Sequence, residues 1–528
     1  MKLFYAACGL AALSLAAPAN ADRVLTEDGR IIKPLKAREE GDGYRLTFEI
    51  GEIVTKDKKG IASIEIEGDM SDYVPQNEDE AQKLADGYIR YDGKWWSKPA
   101  YEAQLKKEFE ESRERTQELA EHSEWHNAWS KETRHFVFRT NTSPELLDYY
   151  AELLETYYGM MDKRVGIKPK GEYRKIKMTV NIYKSREEFH ELNAAGVGGG
   201  VAGYFWSYDN TLNFYHDYEE PAVSDWVGLH ECTHLLTFLI DQEYQSQIWL
   251  NEGVADFFGS ADVKVEKKKG KFDIEIVPGK LQTDRVLTVQ QAIKEKNDIK
   301  LEDLFFINRR DFHSFQYAHA WSFVYFLNNY DKGKYQKGFT KFFKALYTLE
   351  KGVPYERVPA AGKTGTGKSV TPEDIRALLL EKIKVDDVAA LEKEWKEFIA
   401  AIPVDGPEAR LKRGLRAVYQ WEFEEALPDL NAAIEAGIQD PRAYWGRGRA
   451  KLWSGKGAES VSDFEKAVEM DPLSASFRYA LSEGLAFKTI FTQEGKVGNP
   501  DARLQAGLAH ELDPENERYR EWFEEMAE

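Results

Sequence analysis

The sequence predicts an α+β protein built in sections. Three patterns carry that reading: period-two alternation of apolar and polar residues near the N-terminus, strand–helix alternation through the middle, and helical periodicity with a 34-residue repeat at the end. A length of 528 residues corresponds to a prior of about three domains. With 42% hydrophobic and 31% charged residues, the composition excludes wholesale disorder and a multi-span membrane protein. Lys+Arg total 72 against 91 Asp+Glu, a net charge of −19, which disfavours general binding to phosphate backbones or anionic lipid. No nucleic-acid partner is expected.

Residues 1–21 stand apart. Lys2, the apolar run from Leu3 to Ala17, and Pro18-Ala19-Asn20-Ala21 have the charge, length and small-residue ending of a secretory signal peptide. The expectation is an exported protein, periplasmic or extracellular, with no membrane insertion once the signal is removed. The longest later apolar run of note, Leu235–Ile240, is too short to span a bilayer. Cleavage after Ala21 leaves Cys232 as the one cysteine, so no intramolecular disulfide is available to staple the fold.

Residues 22–72 read as a small β module. Tyr44–Ile50 and Ile61–Ile66 alternate, and Asp28-Gly29, Gly41-Asp42-Gly43 and Lys59-Gly60 supply turns. Residues 73–132 read as a charged connector, with a hairpin at Tyr91–Trp96 and a solvated helix over Glu102–Trp129. Residues 133–402 form the central section. His135–Phe138 is a strand. Ser143-Pro144-Glu145 caps a helix with Pro in its first turn, and Leu146, Tyr150, Leu153, Tyr157 and Met161 give it an apolar face. Ile176–Tyr183 is a strand and Arg186–Leu192 a short helix. Gly203–Tyr208 and Leu212–Tyr215 are strands about Asp209-Asn210, and from Trp226 to about Ala401 the chain reads as mainly helical.

Residues 403–528 carry the repeat. Setting Pro407 over Pro441 aligns Gly414 with Gly448, Leu430 with Phe464 and Ala433 with Ala467. Small residues where helices cross and bulky ones between them are what stacked helical hairpins need. The pattern resembles tetratricopeptide repeats, with a third, degenerate copy from Phe477 to Pro514.

The chemistry lies in His230-Glu231-Cys232-Thr233-His234. At about 100° per residue, positions i and i+4 of a helix lie roughly 40° apart, so both imidazoles reach one cation. Glu231 is close enough to touch a water on that cation, while Cys232 points away into the core. Eighteen residues after His234 comes Glu252, in Asn251-Glu252-Gly253-Val254-Ala255-Asp256. Two imidazoles and a carboxylate with one position left open are a catalytic zinc set, so one zinc per chain is expected on His230, His234 and Glu252. Asp256, one turn past Glu252, can accept the free ring N–H of a ligating histidine.

H-E-x-x-H followed by N-E-x-x-x-D resembles the gluzincin metallopeptidases, the clan of thermolysin and aminopeptidase N. Gly203-Tyr204-Phe205, Trp249–Gly253 and Tyr317-Ala318-His319-Ala320-Trp321 are similar to the exported bacterial peptidase-MA-like family. The resemblance implies a gluzincin-type fold, with a sheet lobe and a helical lobe flanking the metal. It also implies an edge strand pairing with substrate backbone, either Gly203–Tyr208, with Gly203 and Tyr204 binding substrate, or Leu212–His216. It further implies Glu231 as general base and Tyr317 as the oxyanion donor, with His319 and His313 as rivals. Classical aminopeptidases carry a G-x-M-E-N-like segment whose acid binds the substrate amine. Gly200–Trp206 lacks that acid, which favours an endopeptidase.

Three motifs are decoys. Gly362–Ser369 fits the phosphate-loop pattern, but no buried strand precedes it and the next helix starts later, at Thr371-Pro372-Glu373-Asp374. Gly198–Gly203 fits G-x-G-x-x-G but follows a helix and precedes a strand, the reverse of a dinucleotide fold, and reads as a loop over the cleft. His122 and His126 have i, i+4 spacing in a charged helix without a third ligand. The leading expectation is an exported zinc metallopeptidase acting on peptide or protein substrates. The alternative is a catalytically silent scaffold that binds protein partners through the repeats.

Overall fold

The computed structural model describes residues 22–526, apart from 27–29, 66–74, 76, 92–93, 167–174, 219, 241–245, 269–270, 349–370, 492–498 and 515. The signal-peptide reading of residues 1–21 and the phosphate-loop look-alike at 362–369 therefore lie outside the described residues. The architecture is α+β, with sheets at the N-terminus and in the middle and helical hairpins at the C-terminus. Among the described residues no helix is long and apolar enough to cross a membrane. The chain divides into two compact units: residues 117–413, and residues 1–116 together with 414–528.

The unit of residues 117–413 is organised by a five-stranded sheet. Its strand order is Gly203–Trp206, Thr211–Tyr215, Met178–Tyr183, Phe136–Thr140 and Trp129–Glu132. The three inner strands are parallel, and the two edge strands are antiparallel to their neighbours. Phe136, Phe138, Val180, Ile182, Leu212 and Phe214 are fully buried and pack with Leu153, Leu154 and Tyr157 of the helix Pro144–Val165. That helix begins as its sequence requires, with Ser143 Oγ accepting from Leu146 N–H at 3.1 Å and Pro in the first turn. The capping signature at Thr371 is also present, since Thr371 Oγ1 accepts from Asp374 N–H and Asp374 Oδ2 from Thr371 N–H.

Two strand regions correct the sequence reading. The helix expected over Glu102–Trp129 runs from Lys98 to His122, and Trp129–Glu132 is an edge strand of the central sheet. His122 therefore ends one helix while His126 lies in a separate short turn of 3₁₀ helix, so they share no helical face. The stretch read as mainly helical after Trp226 contains a two-stranded ribbon, Ala261–Lys268 with Lys271–Pro278. Val263 and Val265 alternate with charged residues there, opposite Ile274 and Ile276, which is the period of a strand.

Toward the C-terminus, Pro407, Pro441 and Ala475 open successive helices 34 residues apart, the first of them running from the end of the unit 117–413 into the other unit. Each is followed by a partner helix: Phe423–Glu435, Gly457–Met470 and Pro500–Leu512. The aligned glycines do the same job in consecutive hairpins. A Cβ on Gly414 would lie 2.5 Å from Leu430 Cγ, and one on Gly448 would lie 2.6 Å from Phe464 Cε1. The N-terminal strands form two three-stranded sheets, and their apolar faces do not close on themselves. Val24, Ile32, Leu46, Phe48 and Ile53 share one core with Leu473, Leu508, Leu512 and Tyr519, so the two ends of the chain fold together.

Candidate metal centre

The helix Pro221–Ile240 carries His230, Glu231 and His234, and it is buried around most of its circumference from Val227 onward. An apolar helix of this kind is held inside the molecule by packing rather than by a solvated face. The next helix, Ile248–Gly259, carries Glu252 and Asp256. Glycines set how closely the helices cross. A Cβ on Gly259 would lie 2.9 Å from the backbone nitrogen of His230, and one on Gly253 would lie 2.8 Å from the carbonyl oxygen of Ala320. Only glycine admits these contacts, and they bring Glu252 against the two histidines.

The three side chains converge. His230 Nε2 and His234 Nε2 are 3.1 Å apart, and Glu252 Oε2 lies 3.5 Å from the first and 3.3 Å from the second. Among the described residues this is the cluster of His, Cys, Asp and Glu whose geometry could hold a metal ion. Its setting is buried, with Glu252 at 5% exposure. Burial alone would raise the Glu252 carboxyl, but the adjacent imidazoles hold it well below the usual carboxylate range. Burial likewise disfavours the charged form of His230, yet the carboxylates of Asp256 and Glu252 outweigh it and push that imidazole up to about 10.

Asp256 is fully buried, and its Oδ1 lies 3.0 Å from His230 Nδ1. That leaves Nε2 of His230 directed at the cluster, as ligand-orienting carboxylates do. The other oxygen of Asp256 is 2.6 Å from Arg285, on the helix Thr283–Glu295. Arg285 also lies over the Tyr317 ring, 5.4 Å from its centroid, and donates to Gln282 Oε1 at 3.3 Å. No local pattern in the sequence marks Arg285, because its partner is brought to it by the tertiary fold.

Glu231 faces the edge strand. Its Oε2 accepts from the Phe205 backbone N–H at 2.9 Å. The sheet order makes Gly203–Trp206 the edge and places Thr211–Tyr215 inside, resolving the two strands that the sequence left open. Because the Phe205 N–H points at Glu231, the main-chain groups of Phe205, and by alternation of Gly203, face the open edge. Gly203 is required there, since a Cβ would collide with Val227 Cγ1. Tyr204 differs from expectation: its side chain is buried with Tyr183 and Phe189, on the face away from Phe205. Phe205 carries no mark in the sequence, because it meets Glu231 through its main chain only after the strand and helix have packed.

Tyr317 lies on the helix Ser314–Asn329, half-buried, with its ring 4.7 Å from Phe312. Burial, followed by the nearby Glu252 carboxylate, pushes its phenol well above the ordinary range. The two rivals stand elsewhere. His319 is fully buried, with Nδ1 2.8 Å from the Phe315 carbonyl oxygen and Nε2 accepting from Ile299 N–H at 3.3 Å, a satisfied neutral core histidine. His313 is exposed and caps its helix through a capping box with Gln316. Cys232 is buried in the main core, as its position on the helix requires, and burial pushes its thiol well above the ordinary range.

Residues 228–346 match the family described as "Protein of unknown function (DUF1570)". That span runs from the histidine helix through Glu252, Arg285 and Tyr317. No curated protein matches the chain.

Proposed function

We propose that the chain is an exported zinc metallopeptidase of the gluzincin kind, and an endopeptidase, acting on peptide or protein substrates. The observation that carries this is the convergence of His230, His234 and Glu252 from two helices. A tetrahedral ion bound at about 2.0–2.1 Å needs donor atoms about 3.3 Å apart. The three separations found are 3.1, 3.3 and 3.5 Å. Two nitrogens and one carboxylate, three protein ligands rather than four, match a catalytic rather than a structural zinc set.

When bound, zinc supplies Lewis acidity that makes a neighbouring water nucleophilic and polarises a carbonyl. The side chains supply the rest. Glu231 takes the proton from the attacking water and delivers it to the leaving amine. The Phe205 N–H donates to its Oε2 and fixes which way the carboxylate points. The main-chain groups of Gly203 and the carbonyl of Phe205, on the open edge, give an extended substrate a strand to pair with, which aligns the scissile bond without demanding a free end. Tyr317 carries a phenol whose proton is held far above neutral pH, suited to donating a hydrogen bond to the developing oxyanion. Asp256 and Arg285 act behind His230, holding its ring.

Glu231→Gln tests this reading. The variant is expected to keep its zinc, measured by elemental analysis, and to lose hydrolysis of a peptide library by at least about a hundredfold. Hydrolysis that survives the change would sink the mechanism. The helical hairpins support a second role beside this one, a protein partner on the repeats. Tyr419, Trp421 and Trp453 are 61%, 71% and 41% exposed, and the last two rings stand 6.1 Å apart. Zinc-loaded wild type that cleaves no peptide would leave that binding role as the working part, with the metal serving only as scaffold.

A further inference from the structure

Arg309 lies in the short turn Arg309–Asp311 between the helices Leu301–Phe306 and Ser314–Asn329. Its side chain is 72% exposed, yet one guanidinium nitrogen approaches Glu252 Oε1 to 3.9 Å. That oxygen is not the one turned toward the histidines, since Oε2 makes both of the short approaches to the imidazoles. Among the described residues the Arg309 guanidinium makes no other ion pair and no hydrogen bond to a protein group, while its backbone carbonyl accepts from Phe312 N–H. A planar fork of five donors therefore stands on the solvent side of Glu252, committed to no protein group beyond that one approach.

The charges there do not balance once the site is loaded. Glu231, Glu252 and Asp256 contribute three negative charges, Arg285 and Arg309 two positive ones. Arg285 is committed to Asp256 at 2.6 Å. A divalent cation held by His230, His234 and Glu252 would offset the charges of Glu252 and Glu231. Arg309 is then left as an unmatched positive charge beside a cation, an arrangement that is unfavourable until an anion arrives. In a chain of net charge −19 such a surplus at the mouth of the site is a local exception.

We propose that Arg309 is a specificity-determining residue that receives a substrate carboxylate adjacent to the bond being cut. This rests on the peptidase reading of the same site. Because Arg309 reaches Glu252 from the solvent side, the carboxylate it meets belongs to a residue flanking the scissile bond. Two sources share that chemistry: an Asp or Glu side chain, and the free C-terminus of a substrate one residue beyond the cut. A fork-on-carboxylate contact is geometrically selective, and Gln or an amidated terminus cannot replace it.

The test uses the full-length zinc-loaded protein. Peptides are paired so that members differ only by Glu against Gln beside the cleaved bond, or by a free against an amidated C-terminus. The carboxylate member of one pair is expected to be cleaved with a kcat/KM roughly tenfold to a hundredfold higher. Arg309→Glu should reverse that preference, and Arg310→Glu should keep it. The pair that responds identifies the source. Binding is read separately by calorimetry on the Glu231→Gln protein, where the same carboxylate peptide should bind about tenfold to a hundredfold more tightly, and Arg309→Glu should remove the difference. Equal losses for both members of each pair, or an equal effect of Arg310→Glu, would overturn the assignment. If the wild type cleaves nothing, the peptidase reading falls, while the calorimetric comparison still decides the role of Arg309.

Discussion

At the scale of single residues, the site divides into what helical periodicity can show and what only packing can. His230, Glu231 and His234 lie within one turn and a residue, so their shared face follows from the helix itself. Glu252 and Asp256 are again one turn apart, and the structure brings both to the histidines. Arg285 and Arg309 are silent in the sequence, because each meets its carboxylate partner only after the helices have packed. Asp225 belongs with them. Tyr149, from the helix Pro144–Val165, donates to its Oδ2 at 2.7 Å, and burial pushes its carboxyl from the ordinary 3.8 up to about 6. The folded protein therefore holds this proton more tightly than the unfolded chain does. The stabilisation is fully present below about pH 4 and is lost as pH rises through 6, by up to about 3 kcal/mol. Asp225→Asn keeps an acceptor for Tyr149 but cannot ionise. It is expected to raise the unfolding free energy at pH 7 and to flatten its decline between pH 4 and 7, as followed by chemical denaturation across that range. An unchanged pH profile would show that Asp225 ionises freely in the folded state.

Secondary elements were legible where their faces were plainly apolar. The helix at Pro144 carried both its cap and its stripe in the sequence, and the parallel strands read as short apolar runs. Trp129–Glu132 was obscured because an edge strand with Ser130, Lys131 and Glu132 has the composition of the charged helix before it. The ribbon Ala261–Pro278 was obscured by its lysines, although Val263, Val265, Ile274 and Ile276 keep the period of two. How closely elements approach was the least visible quantity, and glycines hold that information. Gly253→Ala would place a methyl 2.8 Å from the Ala320 carbonyl oxygen, a backbone atom that cannot swing away. The expected loss is about 1–3 kcal/mol, together with weaker metal binding as Glu252 shifts. Gly159→Ala, on an exposed part of the helix Pro144–Val165 with nothing within 4 Å of the new methyl, is expected to do the opposite and stabilise by about 0.5–1 kcal/mol. Thermal unfolding of the two variants side by side separates crowding from helix propensity, and the same sign for both would refute the argument.

At the scale of the whole molecule, the sequence shows that the N-terminal strands have an apolar face but not what covers it. Its covering lies more than 400 residues away. Leu46 and Ile53 share a core with Leu508 and Leu512. Gly507 approaches Ile50 so closely that a Cβ would lie 2.6 Å from its Cγ1, and Lys56 pairs with Glu469. Two three-stranded sheets with one open face are too small to stand alone, and the terminal helical hairpin is what completes them. The β module and the last helices should therefore gain and lose structure together. Leu46→Ala deletes a fully buried side chain from that shared core and is expected to cost about 2–5 kcal/mol. The cost should appear in both partners. Backbone amides of residues 36–54 and of 500–512 should lose hydrogen-exchange protection to a similar extent, while those of the strand Met178–Tyr183 in the other unit keep theirs. Protection that fell only in residues 36–54 would mean that the terminal helices hold their fold without the strands, and that the two ends of the chain touch without depending on each other.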